Sequence, residues 1–395
     1  MQRKHLVKDS IGATIAVFVV MALFAYIPFN LKILDPIKHG LKDFDFSDIY
    51  FSKIKQKADI DTNIVIVNIG YNNRLQLAEQ LQTVKKHQPA VIAFDVLFRS
   101  HKDDIIDSVL EAEINSTPNL VMAEMLAGEG EGHDFNEADT TALNFENKKW
   151  GYINFIGKDE HYPVRYFKPF YKLPKGEENS FAAAIVQQYN PAAYQTLQNR
   201  HKEIEIINYS RRQEDYVVID AHQLNDETFD LSVLKGKIVL MGFLGPDVKT
   251  KVLEENRFTP MNEKFSGKAF PDMYGVVIHA NIISSVLEGK YINKLPTWLS
   301  LLIAFVVCFI HIFFFIRYYV NHHKFYHLVT KIIQLLTFVL MIYASFMFLS
   351  AFGLKVDMGA ILGSIALSVD VIYFYDGFVT WLHEKYGYKT VFGHH

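Results

Sequence analysis

Among 395 residues there is one cysteine, Cys308, and it lies inside a long apolar run. No intrachain disulfide can form, so any part of the chain that folds in an oxidising compartment must rely on an ordinary hydrophobic core. A basic excess is also missing. The chain has 40 Lys and Arg against 43 Asp and Glu, which argues against nucleic acid as a partner, because that needs a basic footprint. Catalytic signatures are equally scarce: there is no G-x-S-x-G elbow, no H-E-x-x-H, no P-loop, and no G-x-G-x-x-G after a strand. The turn "GFLG" at 242–245 lacks a phosphate-loop lysine. We therefore expect no cofactor and no enzymatic activity. The pairs His322–His323 and His394–His395 are too isolated to read as a designed metal site, and the acidic stretch 128–149 matches no EF-hand spacing.

What the chain has in abundance is apolar surface. Half of its residues are hydrophobic, including 32 Phe and 21 Tyr. Four stretches, 11–29, 298–318, 327–352 and 359–381, reach the roughly 20 residues that a membrane-spanning helix needs. Arg3, Lys4 and Lys8 precede the first, and no small-x-small cleavage site follows it, so it reads as an uncleaved anchor. The positive-inside rule puts residues 1–10 in the cytoplasm. Arg317 and Lys324 between the second and third spans, and Lys385 and Lys389 after the fourth, return the 382–395 tail to that side. Residues 31–296 are then expected to be extracytoplasmic, on a multi-pass protein of the cell's inner membrane in contact with lipid. Charge divides along the same line. Residues 31–296 carry 31 Lys and Arg against 38 Asp and Glu, whereas the rest carries 9 against 5.

Within 31–296, short β-branched runs alternate with helical patterns. "NIVIVNIG" (63–70) is followed by Leu75, Ala78, Leu81 and Val84 at helical spacing, then by "AVIAFDVLF" (90–98), a helix near 103–114, and "NLVMAEM" (119–125). Further strands are predicted at 150–156, 203–208, 216–220 and 237–243, with a helix from Ser180 to Tyr189 capped by the serine. This pattern predicts an α/β domain with a mainly parallel sheet, joined to four transmembrane helices. Ligands of such sheets bind outside the carboxyl ends of the strands. Those ends are Gly70–Arg74, Asp95–Arg99, Glu124 and Gly242–Asp247, which makes Arg74, Asp95, Arg99 and Asp247 ligand candidates, and Arg165 joins them. Arg74, Asp95 and Arg165 equally suit a buried Arg–Asp pair that only holds architecture. The segment "MYGVVIHANIISSVLEG" (273–289) reads as an amphipathic helix with Val276, Ala280, Ile283 and Leu287 on its apolar stripe. His279 beside that stripe suits a hydrogen bond to the 243–260 loop or a contact to ligand.

These segments, in this order, resemble the second class of CHASE domains, extracellular sensory modules of bacterial receptors. The resemblance is carried by "NIVIVNIG", Arg74 before a Leu/Ala-rich helix, "VIAFDVLF" with Asp95, "WGYIN" followed by Arg165, "LKGKIVLMG" (234–242), Thr259–Pro260, and "YGVVIHANIISSVLEGKYI" (274–292). It covers about residues 60–296, and the three spans that follow match the family's usual arrangement. The family commonly has a tryptophan-rich turn where this chain has "GYNN", proline at the position of Tyr274, and an Asp-rich turn where this chain has "KDEHYPV". These departures imply an altered ligand specificity. The resemblance also implies a cytoplasmic kinase, cyclase or phosphatase after the third following span. Only "HEKYGYKTVFGHH" stands there, so the signal is expected to leave through a separate protein partner, by way of the transmembrane helices or short cytoplasmic loops. Homodimerisation is expected by analogy with such receptors.

Ionisable groups inside a membrane mark pairs or functional paths. Lys331 and Asp376 lie at similar depth and are expected to pair. Asp370, deeper in the fourth span, suits an interhelical or intersubunit hydrogen-bond anchor, or a proton relay with His311 at comparable depth in the second. The leading expectation is therefore a non-enzymatic membrane sensor, with a structural subunit of an envelope complex as the alternative and a periplasmic hydrolase last.

Overall fold

A computed structural model describes residues 3–26, 45–128, 135–139, 141–155, 162–263, 270–321 and 325–392. The histidine pairs 322–323 and 394–395, and Lys324, lie outside the described residues. The chain divides into two units, Asp43–Ile292 and a second made of Met1–Lys42 with Asn293–His395.

The first unit is built on a sheet of seven strands: β1 Asp61–Asn68, β2 Val91–Phe94, β3 Leu120–Ala127, β4 Glu137–Asp139, β5 Lys149–Tyr152, β6 Tyr216–Ile219 and β7 Ile238–Gly242. Its order is β6-β1-β7-β2-β3; β5 pairs in parallel with β3, and β4 is antiparallel to the end of β3. The last strand in sequence occupies the centre. Ile64 to Asn68 pair with Ile238 to Gly242, and Ile238 to Met241 pair in turn with Val91 to Phe94. Residues Ile64–Val67, Val91–Phe94 and Ile238–Met241 are all buried. That explains why these runs are continuously apolar rather than alternating, as strands covered on both faces must be.

Local chemistry fixes the helices. α1 (Arg3–Tyr26) belongs to the second unit. In the first, α2 (Arg74–Lys86) starts at a capping box in which Asn73 and Gln76 bond each other's backbone N–H, and α3 (Asp104–Asn115) starts at Asp103, which accepts from Ile105 and Ile106. Ser180 caps α4 (Phe181–Tyr189) as expected. A further helix, α5 (Pro191–Asn199), uses Asn190 as its cap and Pro191 in its first turn. α4 packs on β3, β5 and α6 (Gly275–Leu287), while α6 packs on β1 and β7.

The expectation of a one-striped amphipathic α6 is corrected, because every residue from Val276 to Val286 is buried. Its polar residues serve an interior. The Asn281 side chain accepts from the Ser210 and Arg211 amides and donates to the Arg211 carbonyl, and Ser284 Oγ donates to Asp61 Oδ2 at 2.5 Å. Such bonds satisfy the Asn281 and Ser284 side chains inside a helix that is buried on all sides. Close approach to β7 needs Gly242, where a Cβ would lie 2.7 Å from the Val276 side chain.

The second unit contains α1, α7 (Thr297–Asn321), α8 (Tyr326–Phe352) and α9 (Gly359–Tyr386). All four are long and apolar enough to cross a membrane. α1 packs against α7 and α9, with Ala13, Val17, Ile312, Phe315, Val369 and Ile372 in the shared core, and α8 packs on α9. Gly12 admits Tyr375 so closely that a Cβ would overlap its hydroxyl. Past α9 the chain returns to the start of α1: Asp9 accepts from Thr390 Oγ1 and the Val391 amide, both at 2.8 Å, and Lys8 Nζ lies 3.6 Å from the Tyr388 ring centroid.

Candidate ligand cleft

Asn68, the last residue of β1, sets the geometry at the carboxyl end of the sheet. Its side-chain oxygen accepts from the Gly70 and Leu244 amides, and its nitrogen donates to Asp220 and to the Gly245 carbonyl. The turns after β1 and β7 are thereby tied together; Gly70 and Gly245 supply the positive φ that these turns require. Asn68 is fully buried, so all four bonds are shielded from water.

Beyond this knot the chain opens into a cleft of about 830 Å³. Its floor is formed by the segments that follow β1, β2 and β5, and by Met125 and Phe243. Gly275 and His279 close one side, and Glu254, Glu255 and Arg257 come from the loop beyond β7. Aromatic rings give it an apolar wall. Tyr71 packs on Phe243 with centroids 5.2 Å apart, and Phe155 stacks on His279 at 4.8 Å. A cleft of this size, open to solvent and lined by aromatic rings together with several polar groups, is the candidate small-molecule site of the domain.

Of the six candidates from sequence, three meet here: Asp95, Arg99 and His279. The Asp95 carboxylate has no hydrogen-bond partner or counter-ion among the described residues. Burial raises its pKa to about 7, and the nearby charge of Glu255 adds to the rise. Arg99 is exposed and donates to the Met125 sulfur at 2.9 Å. His279 is 4% exposed, is edge-on to Phe181, and leaves Nδ1 buried with no hydrogen-bond partner. Burial pushes its pKa down to about 3, so the ring is neutral. The expected bond from His279 to the 243–260 loop does not form among the described residues.

The other three do not line the cleft. Arg74 turns away from the cleft to bind Asp107 Oδ1 and the Ser100 carbonyl, each at 2.5 Å, fastening α2 to the start of α3. That hydrogen bond holds the Asp107 carboxyl below its usual range. Arg165 forks onto Asp48 with bonds of 2.9 and 2.5 Å. Neither arginine takes Asp95 as its partner, which corrects the expected Arg–Asp alternative for that residue. Asp247 closes its own turn by accepting from the Lys249 and Thr250 amides and the Thr250 hydroxyl. Glu124 also misses the cleft; its buried carboxyl, raised to about 7 by desolvation and then by Glu178, lies elsewhere. Tyr71, Phe155, Phe243, Glu254 and Glu255 were not singled out from sequence. Only Tyr71 and Phe243, each directly after a strand-ending glycine, carried a signal.

The membrane helices revise one pairing. Lys331 bonds Asp370, with both oxygens 3.4 Å from Nζ, and not Asp376. Asp376 accepts from Tyr319 and Thr380 instead. His311 bridges the Val307 carbonyl and the Thr337 hydroxyl, so it does not join Asp370 in a relay. The Lys331 and Asp370 side chains are 50% and 59% exposed, on the outer face of the α8–α9 pair.

A CHASE2 domain family model matches residues 16–313. The chain belongs to this family of sensory domains. No curated protein and no solved structure matches it. Together with the four apolar helices, the match makes this a membrane protein with an extracytoplasmic sensory segment.

Proposed function

We propose that the protein is a non-enzymatic receptor of the cell's inner membrane, which binds a small molecule in the cleft and passes its ligand state to a separate protein. The cleft itself carries this reading: an 830 Å³ cleft at the carboxyl edge of a parallel sheet holds a part-buried carboxylate with no protein partner among the described residues and an imidazole whose buried Nδ1 is unpaired. Such groups cost stability in a free protein, and a ligand that satisfies them recovers it. α6 carries His279 on the cleft and is followed, after a short connector through Pro296, by α7, which gives ligand state a continuous path along the chain. The outward Lys331–Asp370 pair supports a partner's transmembrane helix as the receiving element, because a charged pair facing lipid is costly. With both chain ends in the cytoplasm, the contact between Asp9 and Thr390 is accommodated without a further crossing.

The test is to purify the protein from native membranes in mild detergent and identify bound small molecules and proteins by mass spectrometry. A retained small molecule that raises the melting temperature saturably supports sensing. A stoichiometric protein complex indifferent to every extracted molecule would replace sensing with scaffolding, and turnover lost in His279→Ala would replace it with catalysis.

A further inference from the structure

We propose that the cleft selects a small organic ammonium ion with an apolar body, using Asp95 as counter-ion and the facing aromatic rings as its cage. This assignment rests on the cleft being the ligand site. Its first support is the distribution of charge. Three carboxylates line the cavity, Asp95, Glu254 and Glu255, and the deepest of them, Asp95, is uncompensated among the described residues. Two arginines line the same cavity, Arg99 against the Met125 sulfur and Arg257 acting on Glu255, and neither compensates Asp95. A partly buried carboxylate without a partner is an unfavourable arrangement unless something positive arrives.

The second support is independent of the acids. His279 is 96% buried by its 4% exposure, is neutral, and has an unpartnered Nδ1 where it lines the cleft. A neutral imidazole can accept an N–H or O–H from a ligand, and it offers no charge to an anion. Third, the cleft that Asp95 lines is also walled by rings, with Tyr71 on Phe243 and Phe155 on His279. Ring faces attract cations, best when water is excluded. Tyr71 donates its hydroxyl to Glu254 at 2.7 Å, which leaves that acid partly engaged and fixes the ring in place. A divalent metal suits the site less well. Among the described residues no three His, Cys, Asp or Glu side chains are close enough to hold one.

The experiment uses the full chain in detergent at pH 8, where Asp95 is ionised. Melting temperature and calorimetric affinity are measured with choline, 2-phenylethylammonium, 2-phenylethanol and 3-phenylpropanoate. The ammonium probes should bind saturably and better than the neutral and anionic ones. Asp95→Asn should weaken them by about 10- to 100-fold, as loss of a charge-assisted bond does. The same variant should raise the melting temperature of the ligand-free protein, since it removes the uncompensated charge; that rise also shows that it folds. Asp247→Asn, in a turn outside the cleft, should leave binding unchanged. Stronger binding of 3-phenylpropanoate would overturn the ammonium assignment and leave the cleft as a ligand site. No binding by any probe would overturn the assignment as well, while the native-membrane purification decides the sensing reading separately.

Discussion

His279 shows how burial, and not mere presence, decides what a histidine does. Its pKa falls from 6.5 to about 3 inside the protein, so the unfolded chain takes up a proton near pH 6.5 that the folded chain refuses. Folding stability contributed by this residue is therefore whole above pH 6.5 and declines as pH falls toward 3, by about 1.4 kcal/mol per unit. Asp95 and Glu124, raised to about 7, and Asp272, raised to about 6, have the opposite sign, gaining protons on folding over the same window. Comparing wild type with His279→Phe by chemical denaturation at pH 7 and pH 5 isolates the histidine. The wild type should lose about 2 kcal/mol more than the variant; parallel profiles would show that the ring is hydrated. At this scale the sequence was legible in residue type but not in pairing. Arg74 and Arg165 looked like cations worth burying, yet their partners, Asp107 and Asp48, lie 33 and 117 residues away, and no local pattern names them.

Elements were easier to read where hydrophobic period and caps agreed. β1, β7, α2 and α4 emerge from their apolar runs and capping residues, and the cleft's position follows from the rule for parallel sheets. α5 did not emerge, because "PAAYQTLQN" buries only Tyr194 and Leu197 and its opening Asn–Pro reads as a turn. α6 was found but misjudged, since its buried polar residues imitate a solvent face. The tight fit of α6 on β7 gives a sharp expectation. Gly242→Ala should cost about 1–3 kcal/mol by forcing Val276 away. Since α6 carries His279, the same substitution should also weaken any ligand of the cleft. Unchanged unfolding curves and affinity would mean that the interface yields freely.

For the molecule as a whole, the most exposed commitment is the Lys331–Asp370 pair. Lys331→Leu or Asp370→Leu alone leaves one charge facing lipid, at a cost of roughly 3 kcal/mol, and should reduce the amount of inserted protein. The double replacement removes that cost, so insertion should recover while the partner captured from native membranes is lost. Retention of the partner by the double variant would move the contact elsewhere. Strand order was the least legible feature, because β7 enters between β1 and β2 by pairing Ile238 with both Ile64 and Val91. That late insertion governs how the protein is made. Until Ile238–Gly242 has been synthesised, the strands on either side of the gap present bare apolar edges with unmet backbone bonds, the condition under which chains aggregate. The nascent domain is therefore expected to expose those edges until its last sheet strand, the one that closes the sheet, arrives.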